Sequence, residues 1–247
     1  MGDNMGKLFV IGIGPGNPDS MTFRAANALE CSEVIFGYTP YLDLLQQGPY
    51  AKKEMVSTGM TEELSRCRLA LASASSGKTA AMVCSGDAGI YGLASPVLEL
   101  APDYPDVEIE IIPGVSAAMS GAALLGAPLG HDFCVISLSD RLTDWNTIEN
   151  RLRIAAEGDF VICLYNPGSR HRKDVLQRAC HVLLEKKAGS TYCALAKNIG
   201  REGEEYEILS LHNLSNRQAD MFTTVYIGSS QTKEIQGRLV TPRGYRI

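Results

Sequence analysis

The sequence predicts an α/β protein of two α/β domains, with a mostly parallel sheet in the first domain and a mixed sheet in the second. Early in the chain, short apolar strands alternate with segments of helical periodicity, a pattern typical of a parallel sheet covered by helices. Pro113-Gly114 interrupts this alternation, so the predicted domains are residues 1–114 and 115–247. Towards the C-terminal end, strands follow one another without long helices between them, which indicates a mixed sheet.

The first domain starts with a β-branched and aromatic run ending in glycine, as expected for a first strand. Glu62 and Glu63 favour a helix start near Thr61, because acidic side chains stabilise the positive end of a helix. Strands are predicted at residues 7–13, 33–37, 79–84 and 107–112. Helices are predicted at residues 22–30, 93–101 and 115–125, a short helix is expected to begin at the turn of residues 37–41, and another helix is expected to begin near residue 61.

The second domain alternates strand and helix before its final run of strands. Val175, Ala179 and Val182 fall on one face of its second helix, which is the spacing expected of a helix packed on a sheet. Strands are predicted at residues 133–138, 160–165, 191–196, 206–211 and 222–228, and helices at 145–156 and 172–186.

The composition argues against several classes of protein. A net charge of −5 over 247 residues provides no basic surface for coating RNA or chromatin, so we expect no nucleic-acid partner. The seven cysteines are scattered without a CxxC pair, which predicts reduced thiols in a cytoplasmic protein and no metal or iron–sulfur cluster. No apolar run approaches the roughly 20 residues of a membrane span, and we see no signal peptide, so no membrane is expected.

Four segments, residues 12–16, 85–92, 113–117 and 164–167, each close a predicted strand, and the first three contain glycine. Glycine costs backbone entropy on folding, so its repeated use indicates close approach of the backbone to a ligand. Parallel strands end at one edge of the sheet, where open α/β folds bind ligands, so the set implies one ligand crevice. For Asp87, in the second segment, capping of the next helix is the alternative to a role in the site.

Two motifs of nucleotide-binding proteins are incomplete. Gly12-x-Gly14 follows a strand, but Asn17 replaces the third glycine of a dinucleotide fingerprint, and Pro15 lacks the backbone donor. Residues 77–79, Gly-Lys-Thr, resemble the end of a phosphate-binding loop, but the leading glycine is absent and the order is helix then strand. We therefore expect neither a nicotinamide cofactor nor a phosphate-binding loop.

The first three glycine-rich segments resemble, in sequence and in order, those of the tetrapyrrole methyltransferase superfamily. They read Gly12-Ile-Gly-Pro-Gly16, Ser85-Gly-Asp-Ala-Gly-Ile-Tyr-Gly92 and Pro113-Gly-Val-Ser-Ala117. Within this superfamily, four further segments resemble the precorrin-3B C-17-methyltransferases of cobalamin biosynthesis. These are Gly37-Tyr-Thr-Pro-Tyr41, Ile136-Ser-Leu-Ser-Asp140, Leu164-Tyr-Asn-Pro-Gly168 and Val240-Thr-Pro-Arg-Gly-Tyr245.

The resemblance implies a homodimer whose subunits bind S-adenosylmethionine in a cleft between the two domains and release S-adenosylhomocysteine. It implies methylation at C-17 of precorrin-3B or its cobalt-containing counterpart, with contraction of the ring. The residues that match the family's donor contacts are Pro15, Ser85, Gly86, Asp87, Ile90, Ser116, Ala117, Asn166 and Gly200.

The family's tetrapyrrole substrate carries many carboxylates, which arginine binds well. Arg170 and Arg172 are the predicted substrate-binding residues, because positive charge at the start of a helix is otherwise unfavourable. Arg141, Lys197 and Arg201 are weaker candidates.

Ring contraction uses proton transfers, so a general acid or base is expected. The sequence does not single out one of the candidates, which are Tyr38, Tyr41, Tyr91, Ser139, Asp140 and His131. A sibling enzyme that methylates another ring position is the near alternative for the function. An RNA methyltransferase of the same fold and a nucleotide-sensing module without chemistry are the others, and the acidic net charge argues against RNA.

Overall fold

The computed structural model describes residues 6–169 and 172–246. The chain forms two compact units, one up to Ala117 and one from Ala118 onwards. The domain boundary predicted at Pro113-Gly114 lies a few residues before this division. The predicted domains, residues 1–114 and 115–247, stay a prediction.

The first unit contains the strands β1 (Gly6–Gly12), β2 (Val34–Tyr38), β3 (Glu54–Thr58), β4 (Thr79–Cys84) and β5 (Val107–Ile112). They form one sheet in the order β3-β2-β4-β1-β5, and every neighbouring pair is parallel. The predicted parallel sheet is therefore confirmed. The central strands β1 and β4 are almost continuously apolar, as expected for strands covered on both faces.

Helices cover both faces of this sheet: α1 (Phe23–Cys31), α2 (Thr39–Gln46), α3 (Glu63–Ser75) and α4 (Ala94–Leu100). Phe9 and Ile11 of β1 pack with α1 and α2, whereas Leu8 and Val10 pack with α3 and α4. This division follows from the pleat of a strand, which directs successive side chains to opposite faces.

The second unit contains the remaining elements. Its helices are α5 (Ala117–Leu125), α6 (Trp145–Glu157), α7 (Val175–Leu184) and α8 (Leu211–Leu214), and its strands are β6 (Gly126–Ala127), β7 (Phe133–Ser137), β8 (Val161–Tyr165), β9 (Tyr192–Lys197), β10 (Glu205–Ser210), β11 (Thr223–Ile227), β12 (Lys233–Ile235) and β13 (Arg238–Val240). The main sheet has the order β10-β9-β11-β8-β7. Only β7 and β8 are parallel neighbours, so the predicted mixed sheet is confirmed.

A small second sheet has the order β12-β13-β6. β13 runs parallel to β6, and Thr241 continues the ladder by donating from its backbone N to Ala127 O at 3.0 Å. The Thr241 hydroxyl lies 2.8 Å from the Thr232 hydroxyl, and both residues are buried. The sequence-based prediction omitted this sheet and the strand β3.

Candidate functional site

Three of the four strand-end segments, the glycine-containing ones, lie at one edge of the first sheet. Residues 12–16 follow β1, residues 85–92 follow β4 and residues 113–117 follow β5, and these strands are neighbours with β1 in the middle. Parallel strands end at the carboxyl edge, where open α/β sheets bind ligands. Residues 164–167 instead lie at the end of β8 in the second unit, so the shared sheet edge predicted for four segments holds for three.

Backbone contacts join these three loops. Gly14 N donates to Gly86 O at 3.1 Å, and Gly86 N donates to Gly14 O at 2.7 Å. Gly86 has φ of +68°, a conformation that favours glycine. A Cβ on Gly12 would lie 2.6 Å from Gly86 O and 2.7 Å from Gly114 N. The absence of a side chain at Gly12 therefore allows the loops to approach each other. The sequence instead suggested that glycine allows the backbone to approach a ligand.

The Asp87 carboxylate joins the second loop to the third. Its Oδ1 accepts a hydrogen bond from Gly89 N at 2.8 Å, and its Oδ2 accepts one from Gly114 N at 2.9 Å. The next helix, α4, has Leu93 as N-cap residue and no side-chain cap. The capping alternative for Asp87 is therefore wrong. Asp87 orients two backbone N–H groups, and its direct contact with a methyl donor stays a prediction.

The outer surface of these loops is partly apolar. Ile90 is 38% exposed, Tyr91 is 55% exposed and Val115 is 38% exposed. A Cβ added to Gly89 would lie 3.3 Å from Asp87 Oδ1, the oxygen that accepts from Gly89 N, so glycine allows this close contact. Exposed apolar side chains beside loop backbone suit a small-molecule site. The predicted donor contacts on the three loops are Pro15, Ser85, Gly86, Asp87, Ile90, Ser116 and Ala117.

Arg66 of α3 reaches the same edge of the sheet and was missed by the sequence analysis. Tyr38 and Thr58 are register partners at the carboxyl ends of β2 and β3. Arg66 Nε donates to Thr58 Oγ1 at 2.6 Å, Nη2 donates to Gly59 O at 2.9 Å, and the guanidinium lies 5.9 Å from the centre of the Tyr38 ring. The one signal in the sequence is that Arg66 directly precedes Cys67, an apolar position of the helix.

Side-chain hydrogen bonds join two loops at the carboxyl ends of β7 and β8 in the second unit. Asn166 has φ of +55° and donates from Nδ2 to Ser137 Oγ at 2.9 Å. Ser139 N donates to the same hydroxyl oxygen at 3.2 Å. Leu138 N donates to Tyr165 O at 2.9 Å. Asn166 thus holds the neighbouring loop, and its contact with a methyl donor stays a prediction.

Arg172 lies beside this pair of loops. Its Nη1 donates to Leu138 O at 3.3 Å and lies 3.4 Å from Asp140 Oδ1. Arg172 and Ser169 exchange two backbone hydrogen bonds of 3.1 Å, so Arg172 forms an isolated β-bridge, and α7 begins only at Val175. The helix start predicted at residue 172 is wrong, and the helix-dipole argument for Arg172 no longer applies.

Gly200 follows β9, whose carboxyl end shares an edge with those of β7 and β8 because β11 is antiparallel to both β8 and β9. Its φ is +69°, and its N donates to Glu204 Oε2 at 2.6 Å. Asn198, two residues earlier, also has positive φ, at +51°. The structure therefore explains Gly200 by a tight turn, and its predicted contact near adenine stays a prediction.

The weaker basic candidates have ordinary surroundings. Lys197 Nζ lies within 3.7 Å of two carboxylates. The Arg201 guanidinium lies 5.6 Å from the centre of the Phe222 ring, and Arg141 is exposed. Arg170, a predicted substrate-binding residue, lies outside the described residues.

The candidate acids and bases are divided between the two units. The rings of Tyr38 and Tyr41 pack edge to face with centroids 5.4 Å apart. Tyr91 lies on the second glycine-rich loop with φ of +54°. His131 precedes β7, whereas Ser139 follows it, so these two candidates lie at opposite ends of the strand. Within the second unit, Ser139 lies near Arg172 and Asp140, and His131 does not.

Two tyrosines fix the start of α5. Ala118 N donates to Tyr165 Oη at 2.8 Å, and Tyr226 Oη donates to Ala118 O at 2.9 Å. Tyr226 is fully buried, and this burial raises the pKa of its phenol, so the hydroxyl keeps its proton. Gly121 of α5 packs against this hydroxyl, since a Cβ there would lie 2.3 Å from it. Ala117, a predicted donor contact, directly precedes the residue held by both tyrosines.

All seven cysteines are unpaired, and only Cys31 is exposed. Burial raises the pKa of Cys67 to about 11 and that of Cys84 to about 12, so these thiols are protonated at neutral pH. Among the described residues, no group of His, Cys, Asp and Glu side chains is arranged to hold a metal ion. Within residues 6–169 and 172–246, no helix is long and apolar enough to cross a membrane.

The first unit is thus a parallel α/β sheet with three interlinked loops at its carboxyl edge, the place where open α/β sheets bind small molecules. The family model of the tetrapyrrole (corrin/porphyrin) methylases matches residues 7–215. The chain belongs to this family, and the resemblance drawn from the motifs is confirmed.

Relatives match almost the whole chain. A probable cobalt-factor III C(17)-methyltransferase from Salmonella typhimurium is 44% identical over 97% of this chain and 100% of its own length. A precorrin-3B C(17)-methyltransferase from Sinorhizobium sp. is 40% identical over 97% of each chain. The chain spans only 45% of a cobalt-factor III methyltransferase from Priestia megaterium, to which it is 44% identical. The crystal structure of the methyltransferase CobJ superposes with a TM-score of 0.88 and 34% identity, covering 96% of this chain and 100% of that one.

Proposed function

We propose that this protein transfers a methyl group from S-adenosylmethionine to C-17 of cobalt-factor III or precorrin-3B, with contraction of the ring, in cobalamin biosynthesis. The observation that carries the proposal is the similarity, at 44% and 40% identity over nearly the whole chain, to relatives with these names. The geometry supports it because the three superfamily motifs, residues 12–16, 85–92 and 113–117, meet at one sheet edge of the first unit.

The loops of the first unit suit this methyl donor. S-adenosylmethionine, when bound, supplies a methyl group on a positively charged sulfur. Asp87 holds the N–H groups of Gly89 and Gly114, so it fixes the shape of the loops before any ligand arrives. Ile90 and Val115 present apolar surface that would exclude water from the reacting groups. Such alignment and dehydration are the main requirements of an in-line displacement.

The remaining roles in this proposal concern the tetrapyrrole. Arg172 donates to a substrate carboxylate, because arginine forms paired hydrogen bonds with this group. The general acid or base for the proton transfers of ring contraction is one of Tyr38, Tyr91, Ser139 and Asp140. In this proposal Asp140 also neutralises Arg172, whose Nη1 lies 3.4 Å from Asp140 Oδ1.

Incubation with S-adenosylmethionine and cobalt-factor III, and separately with precorrin-3B, followed by mass analysis, tests the proposal. The expected product carries one additional methyl group and a contracted ring, and the preferred substrate identifies the form of the pathway. Methylation without contraction would support a sibling enzyme that acts at another position. Absence of binding to both S-adenosylmethionine and S-adenosylhomocysteine in calorimetry would overturn the methyltransferase assignment.

We also propose that the enzyme acts as a homodimer, as the family resemblance implies. Light scattering of the purified protein is then expected to give twice the mass of one chain. The mass of a single chain at micromolar concentration would contradict this part of the proposal.

A further inference from the structure

Arg66 is a buried cation whose hydrogen-bond partners within the described residues are all neutral. Only 4% of the residue is exposed. Its hydrogen bonds go to Thr58 Oγ1 at 2.6 Å, to Gly59 O at 2.9 Å and to Thr58 O at 3.5 Å. Within the described part of the chain it forms no ion pair. Arginine is rarely buried without an opposite charge, because a charge removed from water must be compensated.

The nearest acidic residues in the sequence serve other groups. Glu62 Oε2 accepts a hydrogen bond from Gly59 N at 2.5 Å, and Glu63 Oε1 accepts one from Thr61 N at 3.3 Å. Arg68, on the same helix, behaves as a surface cation, since its side chain is 57% exposed and lies 3.8 Å from Asp103. Arg66 therefore differs from its neighbour in both burial and lack of a counter-charge.

The guanidinium of Arg66 lies at the carboxyl ends of β2 and β3. Because β2 neighbours β4 and strands are about 4.8 Å apart, this position is beside residues 85–92, on the side away from β1. The Tyr38 ring adds an aromatic face to the cation. Nη1 makes no hydrogen bond to a described residue, so the guanidinium retains donors for an anionic ligand.

We propose that Arg66 binds a carboxylate of the tetrapyrrole substrate. This inference rests on the proposed function, which supplies a substrate with several carboxylates. The methionine part of the methyl donor also carries a carboxylate. We assign Arg66 to the tetrapyrrole because the glycine-rich loops follow β4, β1 and β5, whereas Arg66 serves the ends of β2 and β3. A substrate carboxylate there would supply the missing counter-charge.

The test compares Arg66→Met with Arg68→Met, which removes an exposed arginine from the same helix. Binding of cobalt-factor III is measured by equilibrium dialysis, and KM and kcat are measured in turnover. We expect Arg66→Met to weaken binding and raise KM by about 10- to 100-fold, the worth of a charged hydrogen bond. Arg68→Met is expected to stay within twofold of the unmodified protein.

Two donor ligands distinguish the source of the carboxylate. S-adenosylhomocysteine carries it, and 5′-methylthioadenosine lacks it. Calorimetry of the Arg66→Met protein is expected to give unchanged affinity for both. Loss of affinity for S-adenosylhomocysteine alone, with unchanged cobalt-factor III binding, would overturn the assignment to the substrate. A lowered unfolding temperature with unchanged affinities would show that Arg66 has only a structural role.

Arg66→Lys provides a second variant if the methionine variant fails to fold. It keeps the charge and loses the planar fork, so we expect intermediate binding of cobalt-factor III. Binding of cobalt-factor III by the lysine variant as tight as that of the unmodified protein would contradict the proposal, because the planar fork would then contribute nothing. If the unmodified protein binds cobalt-factor III but does not methylate it, the proposed reaction fails and the dialysis still tests Arg66.

Discussion

The Asp87 carboxylate accepts hydrogen bonds from two different loops, so one side chain determines how residues 85–92 and 113–117 approach each other. Gly89 is exposed and Gly114 is partly buried. Water can replace the carboxylate more easily at the first N–H group than at the second. The site should therefore depend on Asp87 more strongly than the stability of the fold does.

Asp87→Ala is expected to weaken S-adenosylhomocysteine binding at least tenfold, about 1.4 kcal/mol, because the loop N–H groups lose their fixed positions. The free energy of unfolding should fall by less than about 1 kcal/mol. Calorimetry and urea unfolding give the two values. Asp103→Ala, at an exposed aspartate, is the control and should change neither. A loss of stability without loss of affinity would show that Asp87 only supports the loops.

Asp87 and Gly86 could be selected from the sequence because a glycine-rich strand end indicates a site by residue type alone. Arg66 could not. Its helix resembles many surface helices. The two facts that distinguish Arg66 are its burial and the lack of an ion pair with any described residue, and both depend on the packing of β2 and β3. Arg172 was selected for a wrong reason, since it pairs with Ser169 in a β-bridge and α7 begins only at Val175.

Two kinds of contact hold loops and strands together. In the first unit, the loops at the carboxyl edge of the sheet are in close backbone contact, and in the second unit, the buried ammonium group of Lys187 joins separate segments. There, Lys187 is 7% exposed, and its Nζ lies 3.1 Å from Asp159 Oδ1 and donates to Gly228 O at 3.0 Å. Asp159 also accepts from Ser230 N at 2.9 Å. This network joins the turn before β8 to the segment after β11.

Gly12→Ala is expected to lower the free energy of unfolding by about 1–3 kcal/mol, because the new Cβ would overlap Gly86 O and Gly114 N. Gly48→Ala is the matched control, since its Cβ would lie 3.7 Å from Leu45 O. That variant should stay within about 0.5 kcal/mol. Urea unfolding of both proteins provides the comparison, and equal stabilities would show that the loops move apart at little cost.

The Asp159 network predicts a pH dependence. Burial raises the pKa of Asp159, but hydrogen bonds from Ser230 and Lys187 lower it by more, so the pKa in the folded protein lies below its ordinary value of 3.8. The ionised carboxylate therefore stabilises the fold above about pH 3.8, and this stabilisation is lost as the pH falls through the lower folded-state pKa. Because the side chain is 46% exposed, the contribution is no more than about 1 kcal/mol.

Urea unfolding of the unmodified protein and of Asp159→Asn, between pH 7 and pH 3, measures this contribution. The unmodified protein should be more stable at pH 7, and the difference should shrink below about pH 4 as the carboxylate is protonated. A difference that does not change with pH would mean that the hydrogen bonds, and not the charge, carry the effect.

At the scale of elements, β4 and β5 have the predicted bounds, because a short apolar run between turn signals identifies a buried strand. β3 was missed since it is a short edge strand with polar residues at both ends. The β12-β13-β6 sheet was missed because β6 contains two residues whose partner is more than a hundred positions away. The pattern of residues within a short segment does not indicate a pairing between strands so far apart in the sequence.

Over the whole molecule, the thiols report on the integrity of both units. One thiol, that of Cys31, should react rapidly with a disulfide reagent at pH 8 in the native protein, because the others are buried or half-buried. All seven should react in guanidinium chloride. Cys31→Ser should remove the rapid phase, and a second rapid thiol would indicate local opening of the sheet that contains it.

The pairing of β13 with β6 also has a consequence for synthesis on the ribosome. The first sheet is complete once β5, ending at Ile112, has emerged, whereas β6 waits for β13, which ends at Val240. At about 5–20 residues per second, these events are roughly 6 to 26 s apart. A nascent chain stalled between them would carry a complete parallel sheet at its N-terminal end, followed by a half that still lacks its closing strand.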